Sequence, residues 1–347
     1  MDCSISDIAK IANVSPTTVS RALNNNGYVN ESTKQRILDA AKEMGYAPKK
    51  YRKRRNSVKS SSIIGVVVPD IQNPYFGGII QGIEAVAIEN GYELFVCNSG
   101  EDSGREICCL SALHGAKVCG LIVAAASDFA EYNKEYLKQL NDSGIPVVLV
   151  DRDLRIQGID SVIMDNYHGA KNAVNILLTN GHTEVAILSG PILSPTGVDR
   201  LNGYIQAMKD HNLPIREENI RYGDFRAKSG YEMTKKLLGS GTKATAIFSA
   251  NHQMMLGCLR AIQEKGMKIP DDISVFSFGM SDPLTEIESG ISYVYQPSPP
   301  LGEESARILL SKVESGRKHK KQPSKQTVFS TECCLLGSEV FPVNRKK

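Results

Sequence analysis

The sequence predicts a small all-α head-piece followed by an α/β body built as two parallel-sheet lobes. Three observations predict it. Residues 4–45 carry three short, capped helical patterns. From residue 63 onward, apolar runs of strand length alternate with helical patterns. Charge is also unevenly spread. The chain has 347 residues with 41 Lys+Arg and 38 Asp+Glu, yet residues 1–59 hold 12 cations against 5 acids. That net +7 leaves the remainder at −4, and a basic head on a mildly acidic body is the footprint of a polyanion-binding arm.

The head reads in order. Ser4-Ile5-Ser6-Asp7 fits a capping box, in which the Ser side chain and the acid three residues later satisfy two orphan amides reciprocally. Ile8, Ala9, Ile11 and Ala12 form one apolar face, and Asn13 ends the helix. Ser15-Pro16 restarts a helix with Ser as N-cap and Pro at the first helical position, where its missing N–H costs nothing. Val19, Ala22 and Leu23 point inward and leave Thr17, Thr18, Ser20, Arg21 and Asn24 outward. Asn30 caps a third helix with Ile37, Leu38, Ala41 and Met44 inside, closed by Gly45 as a left-handed C-cap. Two short helices joined by a three-to-four-residue turn and braced by a third make a helix-turn-helix. The polar side chains of the second helix can reach base edges, and its Arg can grip guanine O6 and N7 together.

The body follows a βαβ rhythm. Strands are expected at 63–69, 92–97, 120–125, 146–151, 161–165, 185–189, 220–223, 246–249 and 274–277. Helices separate them at 75–90, 104–116, 128–143, 169–180, 199–211, 227–239 and 253–265. Continuous apolar strands separated by helices mean parallel sheets buried on both faces, with ligands beyond the carboxyl ends of the strands.

Several classes are excluded. No apolar run approaches the ~20 residues of a membrane span. The start of the chain lacks the basic and apolar regions of a secretory signal. The eight cysteines show no C-x-x-C and no paired histidines at zinc spacing, so neither a metal site nor a disulfide framework is expected. The reduced cytoplasm is the expected compartment, and no cofactor is called for. An enzyme on a Rossmann-like sheet is the rival reading. No G-x-G-x-x-G follows the first strand, residues 239–243 lack P-loop spacing, and no G-x-S-x-G occurs, so the chain is not read as an enzyme.

The run Ser6-Asp7-Ile8-Ala9-Lys10, Asn13-Val14-Ser15-Pro16-Thr17-Thr18-Val19-Ser20-Arg21-Ala22-Leu23-Asn24 and Gly45-Tyr46-Ala47-Pro48 resembles the head-piece of the lactose-repressor (LacI/GalR) family of bacterial transcription regulators. Further on, Val68-Pro69-Asp70-Ile71-Gln72-Asn73-Pro74-Tyr75-Phe76, Asp165-Asn166, Gly181-His182, Gly190-Pro191, Arg200 with Gly203-Tyr204, Ala250-Asn251 and Tyr295-Gln296 follow in that family's order. The resemblance implies lobes of periplasmic-binding-protein type. It implies a DNA-binding unit at 1–46, a hinge at 47–61 and an effector-binding and dimerisation unit at 62–341. The first lobe is then expected at 62–161 and 294–325, and the second at 162–293 and 326–341.

For the head, the resemblance implies DNA contacts from Ser15, Pro16, Thr17, Thr18, Ser20, Arg21, Asn24 and Tyr28. Pro16 and Thr17 are placed to face bases, Arg21 a base or a phosphate, and Thr18, Ser20, Asn24 and Tyr28 phosphates. The hinge departs from the family pattern. Where relatives end a short helix with a Leu that wedges into the minor groove, this chain has Arg55 or Asn56. The stretch 49–55 is strongly basic, so Arg52, Arg54 and Arg55 are expected to clamp phosphates or enter a narrow minor groove.

For the body, the resemblance points to Asn73, Tyr75, Phe76, Arg200, Phe225, Asn251 and Gln296 as effector contacts, although Tyr75 and Phe76 serve equally well as core residues. Two acids that relatives use on sugar hydroxyls are missing, where this chain has His252 and Gly279. With Arg200 kept and Arg152 and His252 added, an anion is expected, a sugar acid or phosphorylated sugar. The function implied is a repressor of carbohydrate or sugar-acid catabolic genes. It would bind a near-palindromic DNA operator as a homodimer, under allosteric control of a small molecule between the lobes. A regulator whose pocket binds no small molecule is the other alternative.

Overall fold

A computed structural model describes residues 4–24, 27–44, 46, 62–126, 131–280, 290–316 and 324–341. The chain divides into two compact units, Met1–Lys59 and Ser60–Lys347.

In the first unit, helices α1 (Ile5–Ile11), α2 (Pro16–Asn24) and α3 (Glu31–Glu43) enclose Ile8, Ala9, Ala12, Val19, Ala22, Ile37, Ala40 and Ala41. Both bonds of the capping box form: the Ser4 amide donates to Asp7 Oδ2 at 3.0 Å, and the Asp7 amide to Ser4 Oγ at 3.3 Å. Asn13 takes the left-handed conformation (φ 50°) that turns the chain out of α1, a conformation Asn tolerates better than most side chains. Ile11 and Leu38 are exposed rather than inside, because the three short helices close over alanines and leave the flanks of α1 and α3 outside. Gly45, expected as a C-cap, lies outside the described residues.

The second unit holds two six-stranded sheets. The first orders its strands β2 (Glu93–Asn98), β1 (Ile63–Val68), β3 (Gly120–Val123), β4 (Val147–Val150), β5 (Asp160–Met164) and β11 (Gln326–Phe329), all parallel. The second orders β7 (Ile220–Tyr222), β6 (Val185–Ser189), β8 (Ala246–Ser249), β9 (Ser274–Phe278), β10 (Ser292–Tyr295) and β12 (Glu332–Cys334). Only its β10–β12 pair is antiparallel. The central strands are buried along their length because helices cover both faces.

Those helices are α4 (Pro74–Glu89), α5 (Ser103–Gly115), α6 (Glu131–Ser143), α7 (Asn166–Thr179), α8 (Pro195–Asp210), α9 (Ala227–Gly239), α10 (His252–Glu264) and α11 (Ser298–Ser315). No helix among the described residues is long and apolar enough to cross a membrane.

The lobe boundaries differ from those expected. β5 belongs wholly to the first sheet, in register with β4 (Val148 opposite Asp160), so the first crossing follows Met164. β10 lies in the second sheet, and the return crossing precedes α11. Residues 326–341, expected in the second lobe, are divided: Gln326–Phe329 pairs with β5 of the first sheet and Glu332–Cys334 with β10 of the second. The chain crosses between the sheets at residues 330–331, which no periodicity marks. α7 and α8 also start earlier than read. Pro195 opens α8 at its first position, where its missing N–H costs nothing.

Candidate nucleic-acid interface and ligand cleft

Ser15 caps α2 by accepting the Thr18 amide at 3.1 Å, and its hydroxyl pairs with that of Thr18 at 2.8 Å. Val19 and Ala22 anchor the helix inward, so Pro16, Thr17 and Arg21 stand exposed on the opposite face, with Thr18 and Ser20 half-buried. Asn24 is the last residue of α2, and Tyr28 is 91% exposed. Arg52, Arg54 and Arg55 lie outside the described residues.

In the second unit, the loops beyond the carboxyl ends of both sheets meet around a cleft with about 590 Å³ of empty space, part of it open to solvent. Asn73, Tyr75, Phe76, Arg152, Arg200, Phe225, Asn251, His252 and Gln296 all line it, together with Asp70, Glu101, Asp151, Thr196, Asp224, Arg226 and Met280. The acids were not anticipated, yet a signal existed. Asp70, Asp151 and Asp224 each fall within two residues of a strand's carboxyl end, where ligands of parallel sheets bind.

Several lining residues are committed to the fold. Asn73 caps α4 by accepting the Tyr75 amide at 3.1 Å. Asn251 caps α10 through the Met254 amide (2.9 Å) and donates to the Phe225 carbonyl (2.8 Å). Phe76 is 3% exposed and packs in the core shared by both lobes. His252 is buried at the first position of α10. Gly279 (φ 88°) has Gln296 so close that a Cβ there would collide with Gln296 Oε1. The glutamine amide therefore fills the space that a side chain at this position would take.

The three arginines differ. Arg152 is buried and held by two 2.7 Å bonds to Glu101, with Nη1 also donating to the carbonyls of Ala125 and Ala126 and Nε 3.6 Å from Asp151. Burial works to lower its basicity, but Glu101 outweighs that and holds the guanidinium above its usual range. Arg152 is therefore neutralised in place and not available to an anion, contrary to the expectation from sequence. The reason is Glu101, 51 positions away and brought beside it by the β2–α5 loop.

Arg200 projects from α8. Its Nε donates to Asn166 at 2.8 Å and its Nη1 to the Ala250 carbonyl at 2.6 Å, with the guanidinium stacked 3.8 Å over Phe278. Burial pushes it down to about 10, against the pull of Asp151. Among the described residues Nη2 makes no hydrogen bond, so a desolvated cation keeps donor capacity within the cleft lining. Opposite, Tyr75 donates its hydroxyl to Asp151 at 2.6 Å. Burial and then the carboxylate raise this phenol well above its ordinary value, so it stays protonated and orients the acid. Cation, aromatic faces and an oriented carboxylate together suit a ligand bearing several hydroxyls. Among the described residues, no group of His, Cys, Asp and Glu could hold a metal ion.

A helix-turn-helix joined in one chain to a two-lobed, cleft-forming α/β unit defines a ligand-responsive DNA-binding regulator. The comparisons with known proteins agree. Residues 4–49 match the model of bacterial regulatory proteins of the lacI family, and residues 61–331 that of periplasmic binding proteins and the sugar-binding domain of the LacI family. The HTH-type transcriptional repressor PurR of Histophilus somni (strain 129Pt) is 33% identical over 316 residues, covering 91% of this chain and 94% of the relative. Catabolite control protein A of Priestia megaterium is 31% identical over 310 residues, 89% and 92% of the two chains. A solved complex of the transcriptional regulator CelR with cellobiose superposes with a TM-score of 0.71 at 25% identity, over 97% of this chain and 99% of that one. The chain belongs to the LacI family: it is a DNA-binding transcriptional repressor with an effector-binding domain, and its relatives are regulators, not enzymes.

Proposed function

We propose that this repressor binds a near-palindromic operator as a homodimer and controls carbohydrate catabolic genes, with a small polyhydroxylated, uncharged molecule between the lobes shifting its affinity for DNA. One head-piece presents a single recognition helix, and two helices a turn of DNA apart are needed for useful selectivity. The effector would act by changing the relation between the lobes, an allosteric coupling of about 1–3 kcal/mol.

The observation that carries the ligand class is the charge balance of the cleft. Arg152 is neutralised by Glu101, Arg200 lies within reach of Asp151, and Asp70 and Asp224 face the same space as Arg226. An uncharged ligand with hydroxyls meets this array without adding unpaired charge. That a CelR relative was solved with cellobiose supports the class. The sugar-acid and sugar-phosphate reading loses one of its supports, Arg152, to Glu101.

Calorimetric titration of the full chain with ribose, cellobiose and glucose, against gluconate and glucose 6-phosphate, tests this. Tighter binding of a neutral sugar is expected, and tighter binding of an acid or phosphate overturns it. A second reading, a pocket that binds no small molecule, draws on Gln296 over Gly279 and Glu101 on Arg152, which satisfy the cleft from within. No heat with any of the five, together with tight binding to DNA selected from a random pool, would favour it.

A further inference from the structure

Away from the three crossings, a hydrogen bond joins the two lobes across the cleft. Arg226, in the turn before α9, donates from Nη2 to the Gly100 carbonyl in the turn before α5, at 3.4 Å. Arg226 is exposed at the rim of the cleft and makes no ion pair among the described residues. We propose that Arg226 is a positioning residue that holds the lobes together over the cleft, with the Gly100 carbonyl as its landing point. The consequence for ligand release rests on the reading of the cleft as a ligand site.

Both turns are strained and held from several sides. In the first lobe, Gly100 and Glu101 are consecutive left-handed residues, with φ of 66° and 60°. Glycine adopts this freely, but glutamate does so only where its surroundings impose it. Here the Glu101 amide donates to the Pro69 carbonyl at 3.1 Å, and its carboxylate is gripped twice by the buried Arg152. The Gly100 carbonyl is thereby aimed at the opposite lobe.

In the second lobe, Phe225 is left-handed too (φ 65°). Its ring lies so close over Gly190 that any Cβ there would strike it, its carbonyl accepts from Asn251 at 2.8 Å, and the next amide, that of Arg226, donates to Asp224 at 3.0 Å. Two over-determined turns thus face each other, and one long cationic side chain spans between them. A neutral carbonyl is a weak partner for a guanidinium at this distance, so the bridge can break and re-form as the lobes move. A buried ion pair would lock the cleft instead.

The test uses the full chain and its Arg226→Ala and Arg226→Lys variants. Hydrogen exchange of the ligand-free protein reads the bridge without any effector. The amides of residues 99–102 and 224–227 are expected to exchange at least about tenfold faster in Arg226→Ala and less so in Arg226→Lys, with β1 and β6 unchanged. Unchanged exchange in these two turns overturns the proposal.

Stopped-flow binding of ribose and cellobiose forms a second arm. The expected result is several-fold faster dissociation in Arg226→Ala with little change in association rate. If neither sugar binds, the failure belongs to the ligand reading, and the exchange arm still decides the bridge. If Arg226→Ala instead removes a preference for glucose 6-phosphate over glucose while exchange stays the same, Arg226 is a ligand contact and the positioning role is wrong.

Discussion

Arg200 and Arg152 show why residue type alone does not identify a ligand contact. Both are buried arginines lining one cleft. Arg152 has a bidentate carboxylate, and Arg200 has an amide oxygen, a carbonyl and a ring face, with donor capacity left over. A charged hydrogen bond contributes about 1.5–3 kcal/mol. Arg200→Ala is therefore expected to weaken effector binding about 10- to 150-fold in calorimetric titration, and Glu101→Gln to lower stability first, since it leaves a buried guanidinium short of its partner.

His182 provides a residue-scale pH test. It is buried between Thr245 (2.8 Å) and the Glu339 carbonyl (3.3 Å), and burial pushes its imidazole down to about 4 from 6.5. Between those values the unfolded chain binds more protons than the folded one, so stability is complete above pH 6.5 and falls as pH is lowered toward 4. The melting temperature of wild type should drop more steeply than that of His182→Gln over this window, and parallel curves would refute the assignment.

At the scale of elements, the helix pairs of the body meet at glycines. A Cβ on Gly82 of α4 would run into the Pro299 carbonyl of α11, and one on Gly302 of α11 into the Ile79 carbonyl of α4. The same close approach joins α9 to α10, where Gly230 faces the Met254 backbone and Gly257 the Ala227 carbonyl, and α7 to α8 at Gly203. Backbone cannot yield as a side-chain tip can. Gly82→Ala is expected to destabilise by about 1–3 kcal/mol. Gly115→Ala, in the last turn of α5 with open space around the new methyl, should be neutral or stabilising by up to about 1 kcal/mol. Thermal melts of the two variants check the contrast, and similar losses in both would mean that helix approach is not the cause. Such glycines cannot be recognised from a helical pattern, where each reads as a weak spot.

For the whole molecule, the charge split is the dominant fact. A head with 12 cations in 59 residues should release many counterions on DNA. The logarithm of affinity is expected to fall steeply with the logarithm of salt concentration, implying more than four neutralised phosphates. With no apolar wedge at 55–56, operator bending should be less than in Leu-wedge relatives, as measured by circular-permutation gel shift. Arg21→Ala should erase discrimination between a selected operator and a scrambled duplex while changing the salt slope by only about one phosphate.

Much of this protein was legible in its residues. Capping boxes, Pro at helix starts and alternating apolar runs are local signals, because they satisfy backbone groups or bury a face within a few residues. They placed the three head helices and strands β1 to β9 of the body, but not β10, β11 or β12. Less was visible where partners lie far apart in the chain. The division of 326–334 between two sheets, the pairing of Glu101 with Arg152, Tyr75 on Asp151 and Gln296 over Gly279 join positions from 17 to 76 residues apart or sit at crossings. Sequence alone determined that a basic helix-turn-helix precedes two parallel-sheet lobes, since hydrophobic period and capping are decided within a turn or a strand. Only the tertiary structure decided that Arg152 in the cleft is already neutralised, since Glu101, the acid that neutralises it, arrives on a separate loop.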